Sequence, residues 1–162
     1  MTMTHWRTVR VKRIISTKKM FMKICGVELS ANDAVICFLQ FEQQTFNLPD
    51  CRVRKVSLPK GHSTDDLRHF QKTFAKLMAD YGINKVAIKE RALKGKFAGG
   101  PIGFKLEATI QLIDTLDVIM LSQKEIKLAL SENRLPISFS DTGLKVFQET
   151  AFTTAYAAHV LA

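Results

Sequence analysis

Four carboxylates and one basic loop are the parts of this 162-residue chain whose types and spacing could do chemistry. Glu28 stands between Val27 and Leu29 in an apolar run, and Glu90 ends the run Val86-Ala87-Ile88-Lys89-Glu90. Asp141 and Glu149 lie towards the C-terminus, with Thr153 and Tyr156 near Glu149 on the expected last helix. An acid among apolar neighbours is costly to bury unless something compensates it. Two carboxylates close together repel, and one pKa rises unless a cation sits between them. A hard divalent ion held by oxygen ligands, Mg²⁺ or Mn²⁺, would settle both costs. Glu28 and Glu90 would then be ligands, Glu149 a third ligand or a base, and Asp141 a reserve ligand. Two ions about 3.5–4 Å apart would suit in-line displacement at phosphorus. Plain structural roles stay open for each acid. Glu28 could pair with a buried Lys or Arg, Glu90 could be a solvated strand end, Glu149 could pair with Lys145 one turn back, and Asp141 could only cap a helix.

The loop from Lys89 to Gly103 supplies Lys89, Arg91, Lys94 and Lys96 beside Phe97, then Gly99-Gly100-Pro101 at a helix start. Backbone N–H groups at a helix start, with cations nearby, suit a phosphate. The same glycines would equally serve a solvated loop that needs positive φ. Neither GxxxxGK[ST] nor GxGxxG occurs, which argues against a nucleotide cofactor. His5, His62, His69 and His159 show no zinc-ligand spacing, and no Ser/His/Asp or Cys/His constellation can be assembled. Cys25, Cys37 and Cys51 are an odd number without C-x-x-C spacing, expected to be reduced core or near-core thiols of a cytoplasmic protein.

The elements that must position these groups follow from hydrophobic period. Residues 23–29 and 34–41 predict a hairpin about Ser30-Ala31-Asn32-Asp33, and a third strand is expected at 52–58. Leu67, Phe70, Phe74, Leu77, Met78 and Tyr81 form one stripe, predicting a helix over 64–81 with a Ser63/Asp66 capping box and a Gly82 stop. Strands are expected at 84–90 and 117–121, a helix at 102–114, and another to about 131 opened by a second capping box, Ser122 with Glu125. A last helix, capped by Asp141 or Thr142, is expected to run to about 160. The order βββ-α-β-α-β-α-α implies a mixed five-stranded α/β sheet with helices on both faces. Its first, fourth and fifth strands are expected to be parallel through right-handed crossovers. Ligands collect outside the carboxyl ends of such strands, where the order reverses. Glu28 and Glu90 are expected at neighbouring strand ends there.

Composition bounds the rest. With 46% apolar and 24% charged residues the chain is neither disordered nor fibrous, and its length suits one domain. No apolar stretch approaches the ~18 residues that span a bilayer, so membrane insertion is excluded. Residues 1–21 hold six of the nine net positive charges, leaving the remainder mildly basic at +3. This leader lacks the apolar segment of a secretory signal. It is expected to be a non-native start or disordered extension, with a basic arm touching phosphates or acidic lipid and a docked edge element as alternatives. Residues 22–162 are expected to form the single domain.

Residues 22–160 resemble an uncharacterised bacterial family, domain-of-unknown-function family 3010. The resemblance runs through MKICGVELSANDAVICFL, FNLPDCRVRKVSL, GKFAGGPIGFKLEA and TGLKVFQETAFTTA. More remotely, the layout is similar to the ribonuclease H-like group, especially its Holliday-junction resolvase branch. Gly26-Val27-Glu28 looks like that group's first-strand Gly-Ile-Asp, Val86 to Glu90 like its fourth-strand run offset by one residue, and Glu149-Thr150-Ala151 falls where its last helix carries acids. The chain departs from the pattern in having Glu at the first acid, and Phe152 and Thr153 where a second helix acid would fall. The resemblance implies a ribonuclease H-like fold and a divalent-metal-dependent nuclease or phosphodiester hydrolase. Its catalytic residues would be Glu28, Glu90 and Glu149, with Lys89, Arg91, Lys94, Lys96, Gly99 and Gly100 holding substrate. The alternative is a non-catalytic module of the same fold that binds nucleic acid or a protein, with homo-oligomerisation left open. A small-molecule phosphotransfer enzyme is a third reading, opposed by the missing nucleotide loop.

Overall fold

A computed structural model describes residues 3–4, 21–59, 61–96 and 98–161 of the chain. Its strands are β1 (Met3–Thr4), β2 (Phe21–Ser30), β3 (Asp33–Glu42), β4 (Thr45–Pro49), β5 (Lys55–Ser57), β6 (Lys85–Lys89) and β7 (Asp117–Leu121). Its α-helices are α1 (Thr64–Asp80), α2 (Pro101–Gln111), α3 (Gln123–Glu132) and α4 (Glu149–Leu161). The strands form one mixed sheet in the order β1-β4-β3-β2-β6-β7, with β5 also on β3. β2 and β3 are antiparallel, whereas β2–β6 and β6–β7 are parallel. The fold is ribonuclease H-like.

Strict alternation divides the core in two. Cys25, Val27 and Leu29 of β2, with Val86 and Ile88 of β6, pack beneath α1 and α2 against Phe70, Phe74, Leu106 and Ile110. Ile24 and Ala87 face the other way, onto Ile126 of α3 and Ala157 and Ala158 of α4. Both predicted capping boxes form: Ser63 Oγ accepts from the Asp66 amide and Ser122 Oγ from that of Glu125. α4 is alanine-rich because it lies almost on the sheet. A Cβ built at Gly26 would collide with the Ala151 carbonyl oxygen and stand 2.7 Å from the Ala155 amide nitrogen.

Three sequence expectations change. The sheet has seven strands, not five. β4 is the main addition, joined to β3 by a two-residue turn in which Gln43 and Gln44 take φ of 50° and 64°. That is the φ pattern of a type I′ hairpin, made without the Asn or Gly that normally signals it. The third expected strand is only β5, paired with Asp33–Val35, and the Ile36 amide donates to the Arg54 carbonyl just before it at 3.0 Å. The last helix begins at Glu149 rather than after Asp141 or Thr142. Two 3₁₀ turns, Phe139–Asp141 and Val146–Gln148, precede it, and Gly143 between them sits at φ 75°, outside the helical region. Asp141 therefore caps no α-helix, and Phe147 is half exposed.

Of the N-terminal extension, Met3 and Thr4 pair with Pro49 and Leu48 as an edge strand, and residues 5–20 lie outside the described residues. Among the described residues no helix is long and apolar enough to cross a membrane. Cys25, Cys37 and Cys51 are all free. Burial holds the Cys25 and Cys37 thiols well above their ordinary pKa, leaving them poor nucleophiles.

Candidate functional site

The parallel register fixes what stands at the strand ends. Val27 pairs with Ile88, so one step further Glu28 comes beside Lys89, both on the face covered by α3 and α4. The Glu90 amide donates to the Leu121 carbonyl at 2.8 Å, carrying the ladder one residue past β6. Alternation then sends Glu90 towards the α1/α2 face. A cavity of about 520 Å³ opens across these ends, lined by Glu28, Lys89, Glu90, Arg91, Gly99 and Lys127 among others. The two acids expected at neighbouring strand ends therefore border one cavity, but with Lys89, not Glu90, as the in-register neighbour of Glu28. The one-residue offset noted in the sequence is visible here as a change of face.

Lys127 is a residue that the sequence did not single out. It lies one turn after Gln123, which also lines the cavity, at the start of α3. The i, i+4 spacing on the helix following the last parallel strand was the available signal. Lys94 and Lys96, expected on substrate, are exposed on the loop and are not among the lining residues. Phe97 lies outside the described residues. The loop base is closed by an Ala92/Ala98 bridge and by the Gly99 amide donating to the Ala92 carbonyl at 2.8 Å. Gly100 is the N-cap of α2 and has open space where a Cβ would be.

Behind the cavity the half-buried Arg91 side chain rests on Gly99 and Gly103, and its Nη1 donates to the Leu29 carbonyl. Glu107, one turn beyond Gly103, was also not anticipated, because period alone assigns it to an ordinary helix face. Its Oε2 is buried with no hydrogen-bond partner among the described residues. Burial, and then the charge of Glu90, push the Glu107 carboxyl above its ordinary pKa, while Arg91 opposes them. A raised folded-state pKa means that the folded chain holds this proton more tightly than the unfolded chain. Stability contributed by the protonated form is thus lost as pH rises through the carboxylate range. Glu107→Gln should therefore melt above the wild type at neutral pH. The difference should vanish as pH falls below about 4, which thermal unfolding at both pH values checks.

The remaining acids stand elsewhere. Glu149 is exposed in the first turn of α4, and Asp141 accepts a hydrogen bond from Ser138 Oγ at 2.8 Å. Neither lines the cavity. Among the described residues no three or more His, Cys, Asp or Glu side chains gather closely enough to hold a metal ion. Glu28 and Glu90 make no ion pair among the described residues. Glu28 and Glu90 border this cavity from opposite faces of the sheet, and they are the lining residues whose chemistry would suit a divalent ion that keeps most of its waters. They do not supply the set expected for two ions.

Sequence comparison matches residues 22–158 to the family described as "Protein of unknown function (DUF3010)". Comparison with curated proteins gives no match. Among solved structures, Thermus thermophilus RuvC superimposes with a TM-score of 0.64 at 11% identity, over 84% of this chain and 92% of that one. T. thermophilus RuvC in complex with a Holliday junction substrate gives 0.64 at 11% identity, over 86% and 94%. The Fowlpox virus resolvase in complex with Holliday junction DNA gives 0.49 at 13% identity, over 87% and 100%. At 11% identity the likeness to RuvC establishes the fold.

Proposed function

This chain belongs to the DUF3010 family and carries the fold of the Holliday-junction resolvases, and from its strand-end cavity we propose that it processes nucleic acid, engaging the phosphate backbone there. The observation that carries the reading is the convergence of Glu28, Glu90, Lys89 and Lys127 on one cavity at the carboxyl ends of β2 and β6. Ligands collect at this position in α/β sheets. Lys89 and Lys127 attract the phosphate backbone, which dominates nucleic-acid affinity. Glu28 and Glu90 would hold a divalent ion, Mg²⁺ or Mn²⁺, which when bound would polarise a phosphoryl oxygen. The carboxylates themselves repel a bare phosphate, so they orient the backbone only with a cation present. Lys89 beside Glu28 favours one second reading, a module that binds nucleic acid without cleaving it.

Fluorescence anisotropy on a four-way DNA junction and a linear duplex over a range of salt tests the binding. Lys89→Ala and Lys127→Ala are each expected to weaken binding and to lower the salt slope by about 1. Salt-independent association, or none with either DNA or structured RNA, would overturn the proposal. Incubation with Mg²⁺ or Mn²⁺ then separates cleavage from binding alone.

A further inference from the structure

Arg91 lines the cavity, yet its Nη1 is already committed to the Leu29 carbonyl. A Cβ added at Gly103 would stand 2.7 Å from both Cζ and Nε of Arg91, and one at Gly99 would collide with Nε. The two glycines thus form a seat that only an absent side chain leaves open. From this seat Nη1 donates to the carbonyl of Leu29, the residue after Glu28, while the Arg91 backbone directly follows Glu90. Nε is buried and unpartnered among the described residues, as is Oε2 of Glu107 on the next turn of α2. The guanidinium therefore joins the end of β2, the end of β6 and the first turn of α2. A donor that must turn towards a phosphate would not be enclosed in this way.

We infer that Arg91 is a positioning residue, clamping the ends of β2 and β6 so that Glu28 and Glu90 keep a fixed separation, and that Gly99 and Gly103 are the seat that admits it. The functional consequence rests on the proposed reading of the cavity, but the clamp itself does not. Lysine cannot replace it, because a single ammonium lacks the planar fork that fills the seat. Gly103→Ala should act as Arg91→Ala does, although alanine is the better helix former.

Amide hydrogen exchange on the full chain tests the clamp. In Arg91→Lys, Arg91→Ala and Gly103→Ala, exchange at residues 28–30 and 90–92 should rise about tenfold or more, with residues 24–26 unchanged, as local opening requires. Should Arg91→Ala fail to fold, the other two variants decide. Wild-type exchange in Arg91→Lys, or a uniform rise along β2, overturns the inference. In the anisotropy series Arg91→Ala should weaken binding at the wild-type salt slope, whereas a slope lower by about 1 would make Arg91 a phosphate contact and overturn it. If the wild type binds no nucleic acid, the proposed function falls while exchange still decides the clamp.

Discussion

Gly26→Val should lower the unfolding midpoint by about 6–12 °C, the largest stability effect expected from a single exposed-to-nothing change in this chain. Gly26 lies in the central strand β2, paired on both sides, with Cys37 of β3 and Ala87 of β6 as its neighbours. α4 crosses directly above it. The atoms a Cβ would meet are the Ala151 carbonyl oxygen, the Ala155 amide nitrogen at 2.7 Å and the Ala155 Cβ at 2.8 Å. Two of these are helix backbone, which cannot rotate away as a flexible side chain could. Overpacking of this kind costs up to about 3 kcal/mol, and each kcal/mol is worth about 2–4 °C in a chain of this size. Thermal unfolding followed by circular dichroism measures it. Gly100→Ala is the control, since its Cβ meets nothing within 4 Å and its midpoint should match the wild type or exceed it. A Gly26→Val midpoint equal to wild type would mean that α4 does not lie on β2. Glu28 shares that face two residues on, so the same substitution should also disturb the cavity.

What the sequence made legible, and what it hid, divides along physical lines. Runs of apolar and β-branched residues located β2, β3, β6 and β7, and the right-handed crossover rule placed β6 beside β2 in parallel. Both Ser-x-x-acid capping boxes marked helix starts to the residue. These signals are local, and local chemistry decides them. β4 was hidden because its turn is Gln43-Gln44, whose positive φ is imposed by strand pairing and not by residue type. The start of α4 was hidden because Ser, Asp and Thr at 140–142 satisfy 3₁₀ turns as readily as an α-helix. In the candidate site, Glu28 and Glu90 could be brought together from strand order alone. Which face each takes could not, since a one-residue change of register exchanges the faces. Arg91 on Gly99 and Gly103, Glu107 behind it and Lys127 across the cavity all depend on tertiary approach. A glycine pair that admits an arginine has the same sequence as one that cradles a phosphate.

Glu28→Gln should lower metal-dependent cleavage by about two to three orders of magnitude, on the proposed reading of the cavity, while leaving the fold and the binding in place. The substitution keeps the side-chain volume and removes one of the two carboxylates that border the cavity. Because Glu28 makes no ion pair among the described residues, its loss breaks no structural contact, and the unfolding free energy should stay within about 0.5 kcal/mol. The charge stabilisation lost with a displaced metal ion is several kcal/mol, so turnover should fall about 10²- to 10³-fold. Binding measured without added divalent ion should tighten slightly, since a negative charge beside the phosphate path is gone while Lys89 and Lys127 remain. Glu28→Asp, shorter by one methylene, should keep part of the activity if the carboxylate is a ligand, because the charge is retained at a changed reach. The measurement is single-turnover cleavage of a labelled four-way junction with Mg²⁺ or Mn²⁺, alongside anisotropy on the same DNA. Turnover equal in Glu28→Gln and wild type would remove Glu28 from the chemistry. Salt-dependent binding by both, with no turnover by either, would favour the module that binds without cleaving, with Lys89 and Lys127 on the phosphate backbone.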